Sequence, residues 1–362
     1  MSLWVWLLAG VGAFVFLYAS SSLCCCWRSD AKAPVRSQGS SPTASSSAAA
    51  CSATQHDDTG LPRVHETGLT DSSSPLPGSL GCATARTHAQ RLASRDGYFA
   101  PESVIRRVGN SPLTPFLGGG PAVLLQVAHP LVAAGIVQHS DYRRDLWRRL
   151  VRTLRALYLI AFGTKAEAER AGETVRAVHA CVAGQTETQL GRFPPGTRYS
   201  ASDPELMLWV HATLVHCSLQ VFERFVRPLG PEDEERYYHE MALVAQLFGT
   251  PAAVIPRSLA EFREYLRAEL AGPTLAVTRP AREVAAVLHQ ADLPAPMRVL
   301  VPAHRLATAG LLPPRLREEY GLRWTALHQL ALPLAARSVR AAVTPVLFAA
   351  GRMAPLPESL AA

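Results

Sequence analysis

Hydrophobic positions between about residues 97 and 350 recur at the three- and four-residue spacing of amphipathic helices. Alternating runs of Val, Ile and Thr, which would indicate strands, are largely missing. Capping signals mark several helix starts: Thr164 with Glu167, Asp203 with Pro204, and Ser258 with Glu261. The pattern therefore predicts an all-α domain over residues 97–350, without internal repeats and followed by a short tail at 351–362.

The segment from residue 2 to residue 27 carries no charged side chain. About 20 apolar residues cross the hydrocarbon core of a bilayer, and aromatic side chains favour its interfaces. The aromatic residues towards the ends of the segment are Trp4, Trp6, Tyr18 and Trp27. A cleaved signal peptide is the alternative, but such a peptide has a basic start that this segment lacks. We therefore predict an N-terminal transmembrane helix within residues 1–27.

Basic residues outnumber acidic ones directly after this segment, at Arg28, Lys32 and Arg36 against Asp30. The positive-inside rule then predicts a cytosolic helical domain on a membrane such as the endoplasmic reticulum or the plasma membrane. Cysteines 24–26 lie where juxtamembrane cysteines are palmitoylated. Residues 28–96 are rich in Ser, Thr, Ala and Pro and show no period, which predicts a disordered, low-complexity linker.

The overall composition excludes one class of partner. The chain has 362 residues and a formal net charge of +7, which raises the question of nucleic-acid binding. Its positive charge is almost entirely arginine spread along helices, so we expect no nucleic-acid partner. The seven cysteines have neither metal-ligand nor paired spacing, so we expect no disulfide framework. Nothing in the sequence indicates an oligomeric state.

A histidine lies on the apolar face of the helix predicted over residues 165–183. The apolar stripe of that helix is formed by Ala171, Val175, Val178 and Val182. His179 shares this face, Ala180 and Ala183 leave room beside it for a flat group, and Gly184 is expected to cap the helix. A lone histidine in such a place is more often a hydrogen-bonded core residue than a metal ligand. On this helix alone both interpretations stay open.

The preceding helix, predicted over residues 141–162, places one arginine near its apolar face. Arg149 lies at the edge of that face, Thr153 lies further inside, and Arg152 lies on the polar face. A partly buried arginine needs an anion or a set of acceptors. A porphyrin propionate would serve, and an ordinary ion pair with Asp or Glu is the simpler alternative.

A third segment, residues 115–142, contains a triple glycine and a histidine before a proline. Glycines 118–120 lack the Lys-Ser/Thr of a phosphate-binding loop, so they predict a close backbone approach or a helix entry. His129 precedes Pro130, which predicts a helix break. An imidazole at such a break can line a cavity or cap a free carbonyl.

Ordered blocks of this sequence resemble the superfamily of the bacterial latex clearing proteins (rubber oxygenases) and the fungal membrane-bound MpaB-type oxygenases. The blocks are GGGPAVLLQVAHPLVAAGIVQHS at 118–140, RLVRT at 149–153, FG at 162–163, VRAVHACVAG at 175–184, YSASDPELMLWVHATLV at 199–215 and, more weakly, GTPAAVIPRSLAEFREYL at 249–266. The set spans most of residues 97–270, and its order makes the resemblance specific.

The resemblance implies a globin-like helical core with additional helices around one b-type haem. It implies that His179 is the axial iron ligand and that Arg149 and Thr153 contact the haem, with His129 as a further pocket residue. These residues would serve an oxygenase that cleaves a C=C bond of an isoprenoid or other lipophilic substrate with O2. Arg149, Thr153 and His129 are accordingly the candidate catalytic residues.

The sequence also departs from the rubber oxygenases. Ala183 stands where they have an arginine, and Arg152 stands where they have a lysine that can occupy the distal iron site. Rubber itself is therefore disfavoured as the substrate. A haem-binding sensor or carrier without turnover and a non-catalytic, membrane-tethered helical domain are the rival functions. His211 and His216 are other imidazoles, but five residues is a poor spacing for two ligands on one helix face.

Overall fold

The computed structural model describes residues 91, 94–140, 142–290 and 301–345 of the chain. These residues are helical apart from turns, loops and one short β-hairpin, so the predicted all-α class is confirmed for them. The predicted anchor (1–27), nearly all of the predicted linker (28–96) and the tail (351–362) lie outside the described residues. The proposed domain boundaries therefore stay predictions.

The helices succeed one another with short connections. They are α1 (Val104–Gly109), α2 (Leu113–Ala128), α3 (Pro130–His139), α4 (Tyr142–Phe162), α5 (Lys165–Ala180), α6 (Pro204–Val221), α7 (Pro231–Leu247), α8 (Leu259–Ala271), α9 (Arg279–Gln290), α10 (Val301–Leu311), α11 (Pro314–Glu319) and α12 (Ala326–Ser338). Strands β1 (Ala183–Gln185) and β2 (Arg198–Ser200) pair antiparallel between α5 and α6. A π-helical turn at Phe222–Val226 extends α6, and a second at Val339–Val343 extends α12.

Helix α2 lies at the centre of the core and packs along α6 and α10. Its glycines allow these close crossings. A Cβ added at Gly118 would meet the Cys217 carbonyl oxygen of α6 at 3.5 Å, and one at Gly120 would lie 2.5 Å from Thr308 Oγ1 of α10. The predicted close backbone approach of the triple glycine is therefore confirmed.

The chain bends sharply between α2 and α3. His129 has an extended backbone (φ −79°, ψ 115°), and Pro130 begins α3, which confirms the predicted helix break. The two helices meet at a bend of 102°. Across the described part of the chain, only this bent pair combines the length and hydropathy of a membrane span, and no single helix does.

Helices α4 and α5 form an antiparallel hairpin with a very short connection. Thr164 and Glu167 make the predicted capping box, because each side chain bonds the other residue's backbone N–H. Helix α5 also lies very close to the end of α7, since a Cβ added at Gly172 would be 2.5 Å from the Leu247 carbonyl oxygen.

Some details of the α5 prediction are wrong. The helix ends at Ala180, and Gly184 is a β1 residue that lies against the Tyr199 hydroxyl. Val178 is 59% exposed because it lies about 80° from the middle of the buried face, which runs through Ala168 and His179. The buried stripe is therefore shifted by one residue from the predicted one.

The cysteines also differ from expectation. Cys181 is disulfide-bonded, so the expectation that the chain contains no disulfide is wrong at this residue. Cys217 is a free, buried thiol in α6.

The close contact at Gly172 predicts a difference between two glycine-to-alanine substitutions. Gly172→Ala should lower the free energy of unfolding by about 1–3 kcal/mol, because the methyl group meets a backbone carbonyl that cannot rotate away. Gly119→Ala is the matched control, since nothing lies within 4 Å of its added Cβ, and it should raise stability by up to about 1 kcal/mol. Urea unfolding of both variants measures the difference, and equal effects would contradict it.

Candidate functional site

The candidate residues of α4 and α5 lie at the open end of the α4/α5 hairpin, away from the connecting turn. Residues equally far from the turn of a helical hairpin lie level with each other. Arg149 is about 22 Å from the turn along α4, and His179 is about 23 Å from it along α5, at 1.5 Å per residue. The fold thus brings these two positions to the same level of adjacent helices.

His179 lies in the last turn of α5, on the face that packs inward. Its side chain is half-buried, and its Nδ1 atom is shielded from solvent. The predicted inward orientation is therefore confirmed, although the residue lies near the edge of the core. The carbonyl groups at the end of a helix favour positive charge nearby, so a cation bound to this imidazole would be stabilised.

The β-hairpin fixes the end of α5 that carries His179. The Val182 N–H donates to the His179 carbonyl oxygen at 3.0 Å, and the Val182 carbonyl oxygen accepts the Ala201 N–H at 2.8 Å. The Tyr199 hydroxyl of β2 donates to Gln138 Oε1 of α3. These bonds link the last turn of α5 to α3 through the hairpin.

The positions of α4 differ in part from expectation. The side chain of Arg149 lies outside the described residues, so its predicted place at the edge of the apolar face stays a prediction. Thr153 is exposed, so its predicted inward position is wrong. Ile160 lies two turns further on the same side of α4 and is fully buried, which shows that this side leaves the core before it reaches Thr153. Arg152 is exposed, as predicted.

His129 is buried at the break between α2 and α3 and lies far from the hairpin end of α3. Its ring packs on Phe193, with ring centres 5.6 Å apart, and it makes no side-chain capping bond. Gln138, which connects α3 to the end of α5, lies about 13 Å further along α3. The described contacts therefore do not bring His129 together with His179.

The pKa of His129 is depressed to about 4, first by burial and then by the positive charge of Arg192. Burial likewise depresses the pKa values of His211 and His216 in α6 to about 4. His211 lies in the core, and His216 hydrogen-bonds Gln220. All three imidazoles are thus neutral at pH 7.

Sequence reasoning missed a polar network at the turn of the hairpin. Arg106 is buried and donates to the carbonyl oxygens of Ala161 (2.9 Å), Arg91 (3.1 Å) and Ser94 (3.0 Å). Arg91 donates two hydrogen bonds to Glu167, at 2.8 and 2.9 Å. Burial alone would raise the pKa of Glu167, but these bonds and the capping bond outweigh it and lower the pKa. The signal available in the sequence was an arginine within the apolar segment VIRRVG.

Two cavities lie elsewhere on the surface. One of 910 Å³ lies between residues 98–103 and α7, and one of 680 Å³ lies between α3, residues 187–191 and the start of α9. Neither is lined by His179 or Thr153. Among the described residues, no group of three or more His, Cys, Asp or Glu side chains is placed to hold a metal ion.

The fold and the open end of the hairpin define a helical domain with one shielded imidazole at its edge. The family model for the catalytic domain of the ER-bound oxygenase mpaB/B' and rubber oxygenase matches residues 106–341. The chain belongs to this family and therefore contains the catalytic domain of an oxygenase family.

Similar proteins of known sequence carry no further assignment. An uncharacterized protein of Mycobacterium bovis and one of Mycobacterium tuberculosis are each 26% identical over 213 residues, which cover 57% of this chain and 80% of theirs. No solved structure matches the chain.

The buried state of His129 predicts a loss of stability in acid. Its pKa in the folded state, about 4, is below the ordinary value of 6.5, so the unfolded chain binds the proton more tightly. Stability should fall as the pH drops from 6.5 to 4, with up to about 3 kcal/mol from this residue. His129→Gln should reduce that loss in urea unfolding at pH 7 and pH 4.5, whereas the exposed control His139→Gln should not. Parallel pH dependence in the two variants would disprove this role.

Proposed function

We propose that the protein is a membrane-anchored, b-type haem-dependent oxygenase. Its reaction would be the oxidative cleavage of a C=C bond in an isoprenoid or other lipophilic substrate. The family membership supports the oxygenase class, and the shielded imidazole at the open end of the hairpin supports the choice of cofactor. The predicted anchor at residues 1–27 would place the domain on the cytosolic face of a membrane such as the endoplasmic reticulum.

The donor groups at the open end fit a haem in their chemistry. A porphyrin supplies four ligands to its iron, so one protein imidazole is enough to hold it, and His179 offers one. Arginine pairs well with carboxylates such as the haem propionates, and Arg149 lies at the level of His179. Val178 adds exposed apolar surface next to the histidine, which a flat apolar group would cover.

The same observations disfavour the other imidazoles as iron ligands. His211 lies inside the core with Trp209 and Ala212, both buried, so a haem could reach it only after α6 had been unpacked. His129 packs against Phe193 and is also buried. His179 lies at the edge of the core and needs no such rearrangement.

The residues have separate tasks in this proposal. His179 would bind the iron, Arg149 would hold a propionate and orient the macrocycle, and Thr153 would hydrogen-bond at its edge. When bound, the haem would supply the activation of O2. The net reaction balances with one alkene and one O2 giving two carbonyl groups, so it needs no external reductant over the whole cycle.

The first test is an absorption spectrum of the full-length chain, purified in detergent with haem supplied. The wild type should show a Soret band, and His179→Gly should lose or shift it because the axial ligand is gone. Added imidazole should restore the band in this variant by filling the vacated position. His239→Gly, a change of an exposed histidine on α7, is the control and should leave the spectrum unchanged.

The outcomes separate the rival functions. A folded wild-type chain that binds no haem would refute the proposal and leave a non-catalytic helical domain. Haem binding without consumption of any prenyl substrate under O2 would indicate a sensor or carrier. Two carbonyl products that both contain oxygen from labelled O2 would support the oxygenase.

The second test concerns the propionate. Arg149→Ala should weaken haem binding about 10- to 100-fold, because a charge-assisted hydrogen bond contributes about 1.5–3 kcal/mol. Arg152→Ala, on the exposed side of the same helix, is the matched control and should leave the dissociation constant near that of the wild type. Haem titration followed at the Soret band measures both. An equal effect of the two substitutions would argue against a propionate contact at Arg149.

A further inference from the structure

Helix α12 has its largest apolar side chains on the side that faces solvent. Leu327, Leu330 and Leu334 are 73%, 65% and 59% exposed. Their spacing of three and then four residues places them on one stripe of the helix. The opposite side packs on the domain through Ala336, which is buried, and Leu332, which lies against Gly310 of α10. The helix thus presents leucines outward and places an alanine inward, the reverse of an ordinary surface helix.

The charges around this leucine stripe all have one sign. The sequence from Tyr320 to residue 357 contains no Asp or Glu, and its charged residues are Arg323, Arg337, Arg340 and Arg352. Arg337 is exposed one turn after Leu334 on the same side of the helix, and Arg323 is exposed just before the helix begins. Arg340 donates to the carbonyl oxygens of Glu223 and Arg224 and so serves the fold. Glu319, the preceding acid in the chain, is engaged by Arg315 and the Val277 N–H.

We infer that the leucine stripe of α12 docks on the surface of a lipid bilayer that contains anionic headgroups. An amphipathic helix at a bilayer surface buries its apolar side chains among the acyl chains while its cations meet the phosphates. The outward leucines provide the apolar part, and Arg323 and Arg337 provide the cations. Each arginine near an anionic surface strengthens binding about fivefold.

The remainder of the proposed architecture favours lipid over another occupant, and the inference rests on the proposed membrane anchor in this respect. A flexible linker over the predicted residues 28–96 would span about 45 Å on average. An anchored domain would therefore stay close to the bilayer, where even a weak docking face is occupied because its effective concentration is high. Docking would hold the domain against the membrane in which a lipophilic substrate dissolves.

The test uses the full-length chain in liposomes of phosphatidylcholine, with and without phosphatidylserine. The photo-crosslinking residue p-benzoylphenylalanine replaces Leu330 in one sample and Ala260, an exposed residue of α8, in the control. After irradiation, mass spectrometry identifies the partner of each adduct. We expect lipid adducts at position 330 and not at position 260, with a severalfold higher yield when phosphatidylserine is present. Arg323→Glu combined with Arg337→Glu should reduce that yield by at least tenfold.

Other outcomes would overturn the inference. An adduct from position 330 to a peptide of this chain would show that a second copy or another segment covers the stripe. No adduct, or equal lipid adducts at both positions, would show that the stripe does not dock. Extraction of the liposomes with alkaline carbonate reports the anchor separately, and the Soret band reports the haem site. Failure of the proposed function is therefore distinguishable from failure of the docking face.

Discussion

The turn between α4 and α5 is held in place by two arginines, and the position of the candidate site depends on that turn. The Arg106 guanidinium is buried and bonds three backbone carbonyl oxygens, while Arg91 bonds both oxygens of Glu167, whose carboxylate also caps α5. Leaving a buried charge without its partner costs about 3–5 kcal/mol, so the turn has little freedom to shift. Both helices extend from this point as rigid rods, and the level at which Arg149 and His179 lie is set about 22 Å away.

The two helices leave the core gradually, and this explains why a site lies at their open end. Ile160 and Ala168 are fully buried near the turn, whereas Thr153 and Val178 are exposed towards the other end. The inner faces of the hairpin thus keep their apolar character after the surrounding helices no longer cover them. A flat, largely apolar group with carboxylates at its edge is suited to such a place, since it covers apolar side chains and pairs with an arginine.

Local signals were sufficient to predict the helices but not their surroundings. Thr164 with Glu167 and Asp203 with Glu205 begin helices through bonds between residues two or three apart, so the sequence shows them directly. The partners of Arg106 lie up to 55 residues away, and periodicity contains no record of them. Strands of three residues were too short to show an alternating pattern, and Gly184 was therefore assigned to a helix cap. The exposure of Thr153 depends on where neighbouring helices end, which a single helix does not specify.

The open end of the hairpin and the leucine stripe of α12 raise the same physical question, which is how a lipophilic substrate would reach a site in water. Transfer of each CH2 group from an apolar phase to water costs about 0.8 kcal/mol, so a prenyl chain of ten carbons would need about 8 kcal/mol to leave the bilayer freely. A domain connected to the membrane only by a flexible linker leaves that barrier unchanged. A domain whose own apolar face lies among the lipids lets the substrate pass without full hydration. Exposed leucines are costly for a water-soluble surface, and this use gives them a physical reason.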